Sequence, residues 1–300
     1  MITRIINAKE GLDDAVSLIK NGELVVFPTE TVYGLGANAY NSAAVKKIFE
    51  AKGRPQDNPL IVHISRVEEV REIARDIPGV FYTLAERFMP GALTVVLPRS
   101  ERIPDIVTAG GDTVAVRMPD NAFARELIAR SFPLAAPSAN RSKHVSPTSA
   151  KHVYDDLKGK VPLILDGGEC GVGIESTVLD LTSGSPVILR PGAVTAEMLA
   201  PYLGVAPGSG KVIGTAKSPG MKYEHYAPTA EAYAALSAES AAAFYDRCAA
   251  EGRRPVLLFR DIHADVLGER ERSSMGVRVE DFTSSVSSAP GAPAKAHDVT

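Results

Sequence analysis

The residues best equipped for chemistry in this chain fall in two short segments. Pro28-Thr29-Glu30-Thr31-Val32-Tyr33-Gly34-Leu35 leaves an apolar run, Leu24-Val25-Val26-Phe27, and turns at once to hydroxyls, a carboxylate and glycine. Further along, Lys52-Gly53-Arg54-Pro55-Gln56-Asp57-Asn58-Pro59 sets two cations about a glycine and enters a second apolar run, Leu60-Ile61-Val62-His63-Ile64. Polar groups at strand ends, with glycine permitting close backbone approach, are what an anionic small-molecule site in an α/β protein requires. Lys52 and Arg54 would supply the charge, and a guanidinium can grip a phosphate or carboxylate through two parallel bonds.

Each candidate has a plainer reading beside the chemical one. Thr31 and Tyr33 could be turn residues whose hydroxyls bond the backbone. Lys52 and Arg54 could be a solvated helix C-terminus, but Gly53, Pro55, Asn58 and Pro59 favour a fixed, bent loop. His63 alternates within an apolar strand, where a satisfied core histidine is the commoner case. Thr113, Ala115 and Arg117 share one strand face by their period of two. An arginine there without solvent must find an anion; a surface arginine on an edge strand is the alternative. Ser138 and Asn140 follow Leu134-Ala135-Ala136 without a G-x-S-x-G elbow, so Pro137-Ser138-Ala139-Asn140 reads as a polar clamp, continued by Ser146. Ser176 is likewise a ligand contact more than a nucleophile, and Arg190 closes the strand Val187-Ile188-Leu189. Asp166-Gly167-Gly168 and Gly171-Val172-Gly173 read as turns, with Glu175 near the mouth of the site. Gly208-Ser209-Gly210-Lys211 fails as a phosphate-binding P-loop, because Val205 stands where its first glycine belongs and Val212 follows the lysine.

Composition narrows the class. A net charge of −3, with 45% hydrophobic and 23% charged residues, describes an ordinary globular chain with no global basic field for nucleic acid. Cys170 and Cys248 lie far apart and make neither a metal motif nor a disulfide framework. No secretory leader is visible, and no apolar run approaches the ~20 residues that span a bilayer. A cytoplasmic enzyme is expected.

The elements that must position these groups alternate in type. Strands are expected at 24–28, 60–64, 93–97, 113–118, 134–137, 163–166, 176–181 and 186–190, and helices at 8–21, 42–52, 66–76, 79–89, 121–131, 149–157 and 195–203. Asn41-Ser42 and Ser149 read as helix starts. Such alternation predicts an α/β layer structure. Residues 204–230 carry glycines and prolines without periodicity and read as a linker or lid. A helix at 237–251 and a strand at 255–259 open a short C-terminal α/β segment over 231–282. The Ser-, Ala-, Pro- and Gly-rich tail at 283–300 is expected to be disordered.

Taken together, both opening segments, Pro137-Ser138-Ala139-Asn140, Ser146-Pro147-Thr148, and a fifth motif made of Glu175-Ser176-Thr177-Val178-Leu179-Asp180 followed by Ile188-Leu189-Arg190-Pro191-Gly192 resemble the threonylcarbamoyl-AMP synthase, or YrdC-like, family. Five motifs recur in the family's order, and the resemblance runs over residues 5–203. It implies a twisted, mixed open sheet with a cavity on one side. It implies a nucleotidyltransferase that turns L-threonine, bicarbonate and ATP into threonylcarbamoyl-AMP and pyrophosphate, with Mg²⁺ accompanying ATP. It implies catalytic roles for Lys52 and Arg54, and threonine or bicarbonate contacts from Thr31, His63, Arg117, Ser138 and Ser176. ATP contacts are implied for Arg54, Asn58, Thr113, Asn140, Ser146 and Arg190. In two-domain members the linker folds over the site, which implies a nucleotide contact for Tyr226 within Lys222–Pro228. The product would pass to a transferase that modifies the adenosine beside the anticodon of tRNA. The C-terminal segment is shorter than the domain those members carry. Two other classes compete: a non-catalytic double-stranded RNA-binding module using the same cavity, and a carbamoyl-transfer relative, whose longer chains carry zinc-finger-like cysteine clusters absent here.

Overall fold

The computed structural model describes residues 1–209, 232–235, 237–259, 272–274 and 296–299. Met1–Cys170 with Ile174–His225 make one compact unit, and Gly171–Gly173 with Tyr226–Thr300 make another.

The first unit rests on β1 (Arg4–Asn7), β2 (Val25–Phe27), β3 (Gly34–Asn38), β4 (Ile61–His63), β5 (Leu93–Pro98), β6 (Thr113–Arg117), β7 (Leu134–Ala136), β8 (Leu163–Asp166), β9 (Thr177–Asp180), β10 (Val187–Arg190) and β11 (Gly208–Ser209). They form one sheet in the order β1-β8-β2-β3-β7-β4-β6-β5-β9-β10-β11. Pairing is mixed, as the resemblance implies: β4 runs parallel to β6 and β5 to β9, while β3–β7, β7–β4 and β6–β5 are antiparallel. The helices are α1 (Leu12–Lys20), α2 (Ser42–Lys52), α3 (Val70–Ile73), α4 (Gly79–Phe88), α5 (Asp105–Thr108), α6 (Ala122–Arg130), α7 (Ala150–Leu157) and α8 (Ala196–Leu203).

Local chemistry sets the helix ends. The Asn41 side chain accepts from the Ala43 and Ala44 amides at the start of α2, which stops at Gly53 in the left-handed region, φ 60°. Asn121 and Ser149 cap α6 and α7 in the same way.

The period of two along the strands sorts the core onto two faces. On one face Val62, Val95, Val116 and Leu179 pack against α2, α3, α4, α5, α7 and α8. On the other, Phe27, Leu134 and Ala136 pack against α1 and α6. That second layer covers the β1-to-β7 half only. Over β4, β6, β5 and β9 the same face carries a small apolar group, Ile61, Ala115, Val96 and Val178, with no helix of the first unit packed in that cluster. The polar cleft opens beside it.

Three strands of the first unit lie outside the sequence expectation: β1, β3 and the two-residue β11, which falls in the stretch read as a linker. β3 contains Gly34 and Gly36, residues that ordinarily weaken a strand. In the fold they lie under the Phe27 ring: a Cβ at Gly34 would come within 2.9 Å of Phe27 Cζ, and one at Gly36 within 2.8 Å of Cε1. β1 is short and largely exposed, so it shows no hydrophobic period. The helix expected over 66–76 divides into a 3₁₀ turn, Val67–Glu69, and α3; Ala74 is extended and Asp76 has φ 48°.

In the second unit, β12 (Ala232–Ala235) pairs in parallel with β15 (Ala296–Val299), and β13 (Leu257–Phe259) pairs with β14 (Arg272–Ser274). Helix α9 (Ala238–Ala250) begins with a capping box between Ser237 and Ser240. Residues 210–231, and Tyr226 with them, lie outside the described residues. Of the tail expected over 283–300, residues 283–295 and 300 also lie outside them, while 296–299 are β15, a strand where disorder was expected.

Candidate active site

Strand register lines up the first polar groups. Arg117 on β6 is paired with His63 on β4 and with Thr94 on β5. Residues directly opposite across adjacent strands share a face, so the three form a row across the sheet. The row borders an open cleft whose walls include Thr31, Arg54, His63, Arg117, Ser138, Ser176 and Arg190. These come from both opening segments and from residues as far downstream as Arg190.

Each buried cation at the cleft is tied in place. Arg117 Nη2 meets Glu30 Oε1 at 2.7 Å, and the pair is almost out of solvent, 5% and 15% exposed. Glu30 Oε2 accepts from the Asp120 amide at 3.0 Å, and Arg117 Nε donates to the Gly91 carbonyl at 3.2 Å. Arg117 Nη1 has no protein partner among the described residues. Arg190 Nη1 meets Glu175 Oε2 at 2.5 Å, and its Nε and Nη2 donate to the Ser176 carbonyl. Ser146 donates to the other oxygen of Glu175 at 2.9 Å. Glu175 therefore joins Ser146 and Arg190, which the sequence reading kept separate.

Lys52 stands beneath the cleft, not in its wall. Only 3% exposed, its Nζ donates to the Ser138 carbonyl at 2.5 Å, to the Asn140 carbonyl, and to Asn140 Oδ1 at 3.3 Å. Burial, reinforced by the neighbouring Arg54 charge, holds its pKa well below the ordinary lysine value. Asn140 donates onward to the carbonyls of Arg141 and His144 at 2.9 and 2.7 Å. The two residues fix the 138–144 loop that carries Ser138 into the wall. Arg54 donates to the carbonyls of Asn58 and Pro59 at 3.3 and 3.1 Å, which folds the cationic loop back on itself. Asn58 is buried, and its Oδ1 has no donor among the described residues. Thr113 shares the face of Arg117 but sits at the other end of β6, ~13 Å away at the usual rise per residue.

His63 is buried against the Phe27 ring, edge to face at 5.9 Å. Its Nδ1 donates to the Ile61 carbonyl at 3.3 Å. Burial, and then the Arg117 charge, push its pKa down to about 3, so it is neutral at ordinary pH. The Tyr33 hydroxyl donates to the Gly168 carbonyl at 2.6 Å and accepts from the Gly167 amide at 3.2 Å. That phenol braces the turn at 167–168, in line with the plainer reading of the segment. Thr31 is bonded hydroxyl to hydroxyl with Thr29 at 2.9 Å.

Sequence reasoning missed Glu30 as the partner of Arg117, and it missed Thr94 altogether. Glu30 lay inside the first motif, but its partner is 87 positions away. Thr94 is one polar residue in an apolar strand, the pattern that marked His63.

No group of three or more His, Cys, Asp or Glu able to hold a metal occurs among the described residues. Glu175 in the cleft wall and Glu30 behind Arg117 are each already paired with an arginine. The described side chains therefore build no cage for Mg²⁺, and a nucleotide-borne ion would take its ligands from phosphates and water. No described helix is long and apolar enough to cross a membrane.

Comparison with known proteins fits this geometry. The Sua5/YciO/YrdC family model, described as telomere recombination, matches residues 17–192, and the model of the threonylcarbamoyl-AMP synthase C-terminal domain matches 194–292. The threonylcarbamoyl-AMP synthase of Pyrococcus abyssi is 54% identical over 77% of this chain and 71% of its own length. That of Bacillus subtilis is 52% identical over 72% of this chain, which spans only 64% of the relative. The crystal structure of P. abyssi Sua5 complexed with L-threonine superposes with a TM-score of 0.84 at 45% identity, covering 94% of this chain and 84% of that one. The chain belongs to the threonylcarbamoyl-AMP synthase family.

Proposed function

We propose that the cleft makes threonylcarbamoyl-AMP from L-threonine, bicarbonate and ATP. The threonine amine adds to bicarbonate with loss of water. The resulting carbamate oxygen attacks the α-phosphorus, and the bond to the β-phosphate bridging oxygen breaks to release pyrophosphate. The carrying observation is a single cleft with two guanidiniums fixed by their own carboxylates, Arg117 by Glu30 and Arg190 by Glu175. Held cations of this kind stabilise developing charge without having to reorganise.

In this reading Arg117 offers Nη1 to the threonine carboxylate, and Thr31 and Ser138 present hydroxyls to the amino acid. Arg54 and Arg190 face the phosphoryl charge. Asn58 offers an acceptor to the nucleotide, with Ser146 and Thr113 further contacts. Lys52 and Asn140 act through the loop they hold. Neutral His63 is a wall of the threonine pocket and not a base. None of the described cleft residues resembles an activated nucleophile, so rate comes from positioning and electrostatics. Mg²⁺ would arrive with ATP and screen its phosphates.

The product is a mixed anhydride prone to hydrolysis, which calls for a prompt acceptor. We place that acceptor in the cytoplasm, as an enzyme modifying tRNA adenosine next to the anticodon. The test is pyrophosphate release from ATP, measured with threonine and bicarbonate each left out in turn. Release that ignores either omission would overturn the reading. RNA binding with a steep salt slope and no pyrophosphate would favour the non-catalytic module instead.

A further inference from the structure

Thr94 is a fully buried hydroxyl in the middle of β5, on the cleft face, opposite Arg117. Its Oγ1 lies 2.7 Å from Ser176 Oγ, the one hydrogen-bond partner of that hydroxyl among the described residues. Ser176 Oγ also accepts from Arg190 Nη2 at 3.1 Å. Ser176 is 1% exposed, yet it lines the cleft.

Either hydroxyl could supply the proton in the 2.7 Å bond. If Ser176 donated, the Thr94 proton would be buried with no acceptor, the costly arrangement for a hydroxyl. If Thr94 donates, its proton is satisfied. Ser176 Oγ then accepts twice, from Thr94 and from Arg190, and both of its lone pairs are filled. The Ser176 proton has no acceptor left among the described residues, and the open side of Ser176 is the cleft.

We infer that Thr94 is a positioning residue: by donating to Ser176 it turns the Ser176 hydroxyl into a donor aimed into the cleft, toward an anionic oxygen of the bound reactants. Thr94 itself touches no ligand. The inference rests on the proposed synthase reading for the identity of that oxygen, a carboxylate, carbamate or phosphoryl oxygen. The orientation of the hydroxyls follows from the protein contacts alone.

A double-mutant cycle tests this. Thr94→Val, Ser176→Ala and the double variant are made in the full chain, with Thr94→Ser as the conservative control. Valine matches threonine in shape, so thermal unfolding should show all variants folded. Thr94→Val should lower kcat/KM for pyrophosphate release about 10- to 100-fold, in the range of a misdirected donor. Thr94→Ser should restore most of the loss. The double variant should be no slower than Ser176→Ala, because Thr94 acts only through Ser176. If Thr94→Val costs the same factor with and without Ser176, the inference is overturned. Activity unchanged in Thr94→Val overturns it as well. Calorimetric binding of ATP with L-threonine to the same proteins separates this result from failure of the synthase reading. Wild-type chain that binds both ligands but releases no pyrophosphate would sink the reaction, while the cycle read in affinity would still decide the role of Thr94. A protein that binds neither ligand would overturn both.

Discussion

Replacing Lys52 with methionine separates two roles for the cation of the second motif. A lysine that touched the triphosphate would leave stability almost unchanged when removed and would raise the KM for ATP. The observed Lys52 instead donates to two carbonyls and one side-chain amide of the 138–140 loop, and is 3% exposed. Charge-assisted bonds of this kind contribute roughly 1.5–3 kcal/mol each, so loss of the two backbone contacts costs about 3–6 kcal/mol. Relief of ammonium burial offsets a few kcal/mol of that, which leaves a net destabilisation of about 2–3 kcal/mol. Methionine keeps the volume, so the number reports the ammonium and not a cavity. Urea unfolding of the two proteins measures it. The freed loop should also displace Ser138, and an error of ~1 Å in a positioning group can cost ~100-fold in turnover. Lys52→Met should therefore lower kcat and stability together. Stability within about 0.5 kcal/mol of wild type, the ordinary range of a surface substitution, would refute the reasoning and return Lys52 to the phosphates.

Valine should support at least about 100-fold less pyrophosphate release than threonine, because a site built around a hydroxyl leaves polar groups unpaired when it is missing; equal rates would remove the threonine assignment. Glu30→Gln breaks a buried pair and leaves the Arg117 charge exposed to the low dielectric. It should cost roughly 3–5 kcal/mol in urea unfolding, and unchanged stability with unchanged threonine affinity would count against the pair. His63 has a folded pKa of about 3 against 6.5 when unfolded, so the unfolded chain binds the extra proton between those values. Stability from this group is complete above about pH 6.5 and is lost as pH falls toward 3. His63→Gln should therefore flatten the acid limb of the stability profile by up to about 1.4 kcal/mol per pH unit; parallel profiles would contradict a buried neutral ring.

Much of the fold was legible where one local signal decided it. Asn41, Ser149 and the run Thr113–Arg117 each announce their element by capping chemistry or by period, and the structure places α2, α7 and β6 there. Reading failed where a residue served a distant partner. Gly34 and Gly36 look ill suited to a strand until the Phe27 ring is seen lying on them. The site divides in the same way. Cleft residues such as Arg54, Arg117 and Ser176 stand out by type and place in a motif. Glu30 and Thr94 are recognisable only once strand order sets them against Arg117 and Ser176, a matter of non-local pairing that no window of sequence contains. Lys52 shows a further limit. Its type and its motif suggest a ligand contact, but its role in the fold depends on which way the side chain turns.

The row His63–Arg117–Thr94 also bears on how the protein fails when heated. Sites carried on loops can melt locally while the domain stays folded, so activity disappears before structure does. Here the three side chains stand on adjacent inner strands of the sheet, and no part of that ladder can open without breaking the core beneath it. The part of threonine recognition carried by Arg117 and His63 should persist up to the cooperative transition and vanish with it. The cationic segment between Gly53 and Pro59 has no such anchorage in the ladder. As temperature climbs, nucleotide handling should fade ahead of amino-acid binding, giving one protein two inactivation temperatures.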